Sequence, residues 1–176
     1  EDGFRAQDLA ARYRGRPARL TLAAEGRGAE AFRAELEGEF TVAEAVPDFL
    51  AEDLQWLDLA AGTARWRASV AVPRAADGTP GDAVLNVVSN LQGLALDLPQ
   101  PLRKPAAANW PFLLRYPLAG PQRVLDIAVG NRLAAALALE PGADGPTAVG
   151  LRLGSARAAV PAPGQLTIGG RGARLD

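Results

Sequence analysis

The sequence predicts a mainly β protein: an antiparallel meander of about nine or ten strands with one short helical insert near residues 43–60. Three observations predict it. Apolar and polar residues alternate with period two along several stretches, the pattern of a strand with one dry and one wet face. Glycine and proline, 19 and 14 of 176 residues, interrupt the chain too often for long helices. The connections between alternating stretches are short, which favours neighbouring strands joined by turns.

The first strand signal is Arg19 to Ala23, which places Leu20 and Leu22 on one face. Gly26 and Gly28 offer a turn into the clearest alternation of the chain, residues 31–41. There Phe32, Ala34, Leu36, Gly38 and Phe40 fall on one side, and Arg33, Glu35, Glu37 and Glu39 on the other. Residues 42–61 lose the alternation. Spacings of three and four, a proline near the start and Gly62 at the end predict one or two short helices. Alternation returns at residues 63–72, with Trp66, Ala68 and Val70 opposite Arg65, Arg67 and Ser69. Asp77-Gly78-Thr79-Pro80-Gly81 reads as a loop. Residues 83–89 form the next strand, with Leu85 and Val87 inward. Leu94, Leu96 and Leu98 continue the pattern until Pro99, Pro101 and Pro105 impose an extended stretch without a ladder. Residues 110–116 (Phe112 and Leu114 inward), 123–129, 133–139 (Leu137 and Leu139 inward), 148–153 and 165–168 complete the strands. Gly130-Asn131 predicts a two-residue hairpin turn.

The 176 residues suffice for a single β-rich unit with an ordinary core. Nineteen basic and 20 acidic residues leave a net charge of −1. That gives no overall field toward nucleic acid or an anionic membrane. Histidine and cysteine are absent. Their absence removes the commonest general base, imidazole and thiolate metal ligands, disulfides, and Ser-His or Cys-His nucleophile pairs. No apolar run reaches the roughly 18 residues of a membrane helix. With no methionine, the chain reads as a mature segment or a piece of something larger.

No cluster carries chemistry. Glu35, Glu37 and Glu39 alternate on the wet phase of a strand, and Asp97 and Asp126 also fall on polar phases. None has a partner at acid–base spacing. Gly26-Arg27-Gly28 and the closing Gly169-Gly170-Arg171-Gly172 lack the helix of a phosphate loop. Arg12, Arg14, Arg16 and Arg19 read as a solvated face. Catalytic residues, metal ligands and cofactors are therefore expected to be absent. The remaining signal is the set of apolar stripes. Such a face can close into a barrel, fold as a sandwich or line an open groove. On composition alone, a closed core outranks a ligand groove.

A family resemblance shifts that balance. The run Ser89-Asn90-Leu91-Gln92-Gly93-Leu94-Ala95-Leu96-Asp97-Leu98-Pro99-Gln100-Pro101-Leu102-Arg103-Lys104-Pro105, then Trp110-Pro111, resembles a signature of the YhdP-type, AsmA-like proteins of Gram-negative bacteria. Its motif positions are Ser89, Leu91, Gly93, Leu98, Pro99, Pro101, Leu102 and Lys104. Gly15-Arg16-Pro17 and the segment from Gly62 to Trp66 are similar to further family features. The resemblance implies a sheet curled into a groove or half-barrel, forming one segment of a longer periplasmic protein anchored in the inner membrane. It implies a non-enzymatic role in moving phospholipid between the inner and outer membranes. The lipid-lining residues would then be Leu20, Leu22, Phe32, Leu36, Phe40, Trp66, Val70, Leu85, Val87, Phe112, Leu114, Leu137 and Leu139. Small inward residues such as Ala34, Gly38, Ala68 and Ala135 would leave room for chains. The implied partners are phospholipid and neighbouring segments of the full-length protein, with membrane contact through other regions. Self-association through open sheet edges is a further expectation. The alternative is a structural module of the same envelope protein with a sealed core.

Overall fold

The computed structural model describes residues 3–24, 29–45, 59–100, 102–120, 123–143, 145–154 and 157–170. The alternating stretches become β1 (Phe4–Tyr13), β2 (Arg16–Ala24), β3 (Glu30–Phe40), β4 (Ala60–Gly62), β5 (Ala64–Pro73), β6 (Val84–Ser89), β7 (Leu94–Leu96), β8 (Phe112–Pro117), β9 (Arg123–Val129), β10 (Leu133–Leu139), β11 (Pro146–Leu153) and β12 (Leu166–Gly170). Ten of them form one sheet in the order β1-β2-β3-β5-β6-β8-β9-β10-β11-β12. The sheet is not closed into a barrel. Strands β4 and β7 pair separately.

The fold is mainly β and mostly antiparallel, as the turn-rich alternation predicts. Four details differ from the sequence reading. β1 has no counterpart in it, because its inward residues include small ones such as Ala6 and Ala11 and a bulge at Asp8 (φ 53°) breaks the phase. β12 runs parallel to β11, since the chain returns behind the sheet instead of turning back at once. The β9–β10 turn holds three residues, not two: Val129 faces Leu133, and the Arg132 amide donates to the Val129 carbonyl at 3.0 Å. The helical insert lies largely outside the described residues. Its described start is one turn, α1 (Val42–Ala45). Its expected end is corrected: Ala60–Gly62 is strand β4, held to β7. The expected turn at Gly26 and Gly28 also lies outside the described residues.

α1 begins on a capping box. The Thr41 hydroxyl accepts from the Glu44 amide at 3.2 Å, and the Glu44 carboxylate accepts from the Thr41 amide at 2.8 Å. Arg16 on β2 donates to the same carboxylate at 2.6 Å. These bonds, the Arg16 one foremost, hold the Glu44 pKa below its ordinary value.

Strand register fixes the faces, because paired residues in a sheet project to the same side. Leu20, Leu36, Ala68, Val87, Leu114 and Ile127 lie side by side on successive strands, and the row runs on through Ala135, Leu151 and Ile168. A flanking row runs Leu22, Ala34, Val70, Leu85 and Tyr116. These rows form one apolar inner face.

The outer face differs between the two halves of the sheet. On β3 and β5 it carries a ladder of ion pairs: Arg67 to Glu35 (3.2 Å) and Glu37 (3.3 Å), and Arg33 to Glu30 (3.2 Å). Solvated pairs of this kind contribute at most about 1 kcal/mol each. On β10 and β11 the outer face is small and dry, with Ala134, Ala136, Ala138 and Ala148 buried. Here the connection from β11 to β12 passes close. A Cβ on Gly150 would collide with the Ala159 carbonyl, so glycine lets the returning chain lie against the strand.

Candidate functional site: an apolar trough and its plug

The site is the inner face. All the residues assigned above to a lipid-lining role share it: Leu20 and Leu22 on β2, Phe32, Leu36 and Phe40 on β3, Trp66 and Val70 on β5, Leu85 and Val87 on β6, Phe112 and Leu114 on β8, and Leu137 and Leu139 on β10. Their exposure varies greatly along it. Trp66, Val87 and Leu114 are buried, whereas Phe32 is 37% exposed.

Part of the face is covered by the proline-rich motif, whose Leu91, Leu94, Leu98 and Leu102 meet Trp66, Phe112 and Val129 around one cavity. After β6 the chain leaves the sheet and folds back over the inner face as a plug. The Ser89 hydroxyl starts the exit, donating to the Arg65 carbonyl at 2.8 Å and accepting from the Leu91 amide at 3.0 Å. Leu91 (φ 52°) and Gly93 (φ 95°) make the turn. β7 then pairs with β4, where Gly62 and Gly93 stand so close that a Cβ on Gly93 would strike the Thr63 carbonyl. Leu96 and Lys104 exchange backbone hydrogen bonds at 2.9 and 3.0 Å, closing the motif on itself. The Gly93 amide donates to Ala106, and the Trp110 amide donates to Asn90, so the exit and the return are tied together. Pro99 and Leu102 form a turn between them; Pro101 lies outside the described residues. Prolines suit this excursion because it needs few ladder donors and a rigid path.

Lys104, the sole lysine, is the anchor of the plug. It is 1% exposed. Its ammonium donates to the Leu94 carbonyl at 2.7 Å and the Pro105 carbonyl at 3.2 Å. Among the described residues no carboxylate pairs with it. Burial pulls its pKa below the ordinary value for lysine. Sequence alone marked Lys104 as a motif position without a role, since a lysine is rarely fully buried.

The plug seals the trough incompletely. Two apolar cavities flank Trp66. One, of about 230 Å³, lies between the sheet (Trp66, Phe112, Val129) and the plug (Leu94, Leu98, Leu102), with Trp110 on its wall. The other, of about 170 Å³, is bounded by Tyr13, Leu36, Phe40 and Leu85. The Trp66 indole divides them, fixed by its Nε1 donating to the Phe40 carbonyl at 3.0 Å and by an edge contact with Phe112 (centroids 5.3 Å apart). The room expected at Gly38 is not free: a Cβ there would meet the Phe40 ring, which fills the space. Sequence reasoning missed Leu94, Leu96 and Trp110 as cavity walls. Their signal was the short Leu-x-Leu alternation, which does not say that the segment lies across the sheet rather than in it.

The carboxylates stay apart. Asp97 is solvated and faces Arg103 at 3.2 Å, and Asp126 lies exposed beside Arg115 on the outer face. Among the described residues no group of three or more Asp or Glu side chains could hold a metal ion, and no helix is long and apolar enough to cross a membrane.

These features define a class: an open β-sheet protein with a wet or chain-covered back and a partly covered apolar inner face. The family is then specific. The YhdP protein family model matches residues 1–176, and the chain belongs to the YhdP family. Membership suggests a protein of the cell envelope. No curated protein and no solved structure matches it.

Proposed function

We propose that this chain is a groove-forming, non-enzymatic part of a longer periplasmic envelope protein that shields the acyl chains of phospholipids as they pass between the inner and outer membranes. One observation carries the reading: a single apolar face runs in register across the ten-stranded sheet, with cavities still open along its floor. Shielding an acyl chain is worth roughly 0.8 kcal/mol per methylene. A long chain is therefore held by many weak contacts, which suits sliding. Alternating strands supply the dry floor and the wet back that such a conduit needs.

The test is native mass spectrometry of the purified chain with lipid extraction. Co-purified phospholipid is expected, and it should be lost in Leu36→Asp or Val70→Asp variants that remain folded by circular dichroism. A lipid-free mass with no uptake from phospholipid vesicles would overturn the reading.

A second reading has its own observation. The two sheet edges differ. β1 is bulged and carries Asp8 and Arg12, devices that discourage strand addition. β12 is short and regular, and it shows Leu166 (64% exposed) and Ile168 (69% exposed). On this reading β12 docks a neighbouring segment of the full-length protein or a second copy, and the chain is a structural module. Monomers at all concentrations would count against it.

A further inference from the structure

Arg132 stands out once the trough is described. It occupies the β9–β10 turn, between Val129 and Leu133, both of which line the larger cavity. Its guanidinium carbon sits 4.3 Å from the centre of the Trp110 ring, another wall of that cavity. Among the described residues it has no carboxylate partner and no side-chain hydrogen bond. Several other arginines contrast with it: Arg16, Arg33, Arg65, Arg67 and Arg103 all meet carboxylates. Stacking on an indole is attractive in itself. It also holds the planar guanidinium in one orientation while leaving its edge N–H groups available. The cavity that Trp110 lines is apolar and neither sealed nor flat. At about 230 Å³ it exceeds the roughly 150 Å³ that suffices to hold a benzene in an apolar interior.

Resting on the reading of the trough as a lipid conduit, we infer that Arg132 is a headgroup station: it binds the phosphate of a phospholipid whose acyl chain enters the cavity between the sheet and the plug. An arginine fork matches two phosphate oxygens at once. The oriented cation supplies a stopping point on an otherwise uniform apolar path, and Trp110 couples it to the plug. The occupant is a lipid and not a free anion, because the cation stands over the wall of an apolar cavity and not in a polar cleft.

The test compares three single-chain probes of equal chain length on the 176-residue chain by titration: lysophosphatidylglycerol, the neutral monoacylglycerol, and the fatty acid. Lysophosphatidylglycerol is expected to bind about tenfold or more tighter than monoacylglycerol, the gain of one charge-assisted contact. Arg132→Gln should erase that difference and leave monoacylglycerol binding unchanged, which also certifies that the variant is folded. Inorganic phosphate alone should not bind measurably. Equal binding of phosphate-bearing and neutral probes to the parent chain would overturn the station while leaving the conduit intact. A fatty acid bound as tightly as lysophosphatidylglycerol would overturn the phosphate assignment. Failure of every probe to bind would overturn the conduit reading and the station with it.

Discussion

The centre and the edge of the inner face are made alike and end differently. Leu114, on β8, and Ile168, on β12, belong to one row of cross-strand neighbours. Yet Leu114 is 5% exposed and Ile168 is 69% exposed. Alternation put both on the same side. Leu114 sits in the buried core cluster between two strands, whereas Ile168 lies on the edge strand. The contrast teaches that period two specifies a face, whereas burial is specified by whatever the chain lays across it.

The comparison is broken most severely by attacking the plug. Leu94 is fully buried between plug and sheet, and Leu94→Ala is expected to cost about 2–5 kcal/mol in urea unfolding. Ile168→Ala on the edge should change stability by no more than about 0.5 kcal/mol. Similar losses at both sites would show that the edge is covered in solution.

Gly93→Ala comes next. It forces a left-handed backbone and meets the Thr63 carbonyl, so about 1–3 kcal/mol of destabilisation is expected. The loss should be accompanied by faster hydrogen exchange at Lys104 and Leu96, whose amides close the plug.

Edge substitution sharpens the comparison from the other side. Ile168→Lys should leave stability within about 0.5 kcal/mol and abolish any concentration-dependent association in sedimentation velocity. Phe4→Lys, on the bulged edge, should affect association less.

The smallest expected effects are in pH. Folding lowers the Lys104 pKa, so the unfolded chain binds more protons between the folded value and the ordinary 10.5. Stability should therefore rise with pH across that window, and Lys104→Met should flatten the rise. Glu44 has a dependence of the same sign in an acidic window. Its lowered pKa contributes stability above the ordinary 4.5 that is lost as pH falls through the folded value, and Glu44→Gln should remove this dependence.

Much of the fold was legible because alternation is a local property. The strand of Phe32, Leu36 and Phe40 and that of Trp66 and Val70 were read nearly to their ends. β1 was not, because a bulge at Asp8 shifts its phase and alanines blur its contrast. β4 was read as the end of a helix, because three residues with two alanines carry no period, and its pairing with β7 is long-range. The shared apolar face was legible by parity, while the cavities beside it and Arg132 were not, since they depend on which segments meet in space.

By itself, the sequence determined that the protein would be a turn-punctuated β meander, which residues would share a face, and that histidine and cysteine chemistry would be absent. These follow from φ/ψ preferences and residue inventory, which act within a few positions of the chain. Only the tertiary structure decided that Leu91 to Lys104 would leave the sheet and lie across it, that the sole lysine would end inside, and that Arg132 would stack over Trp110. Each of these depends on backbone carbonyls and side chains brought together from distant positions, whose mutual desolvation no local pattern encodes.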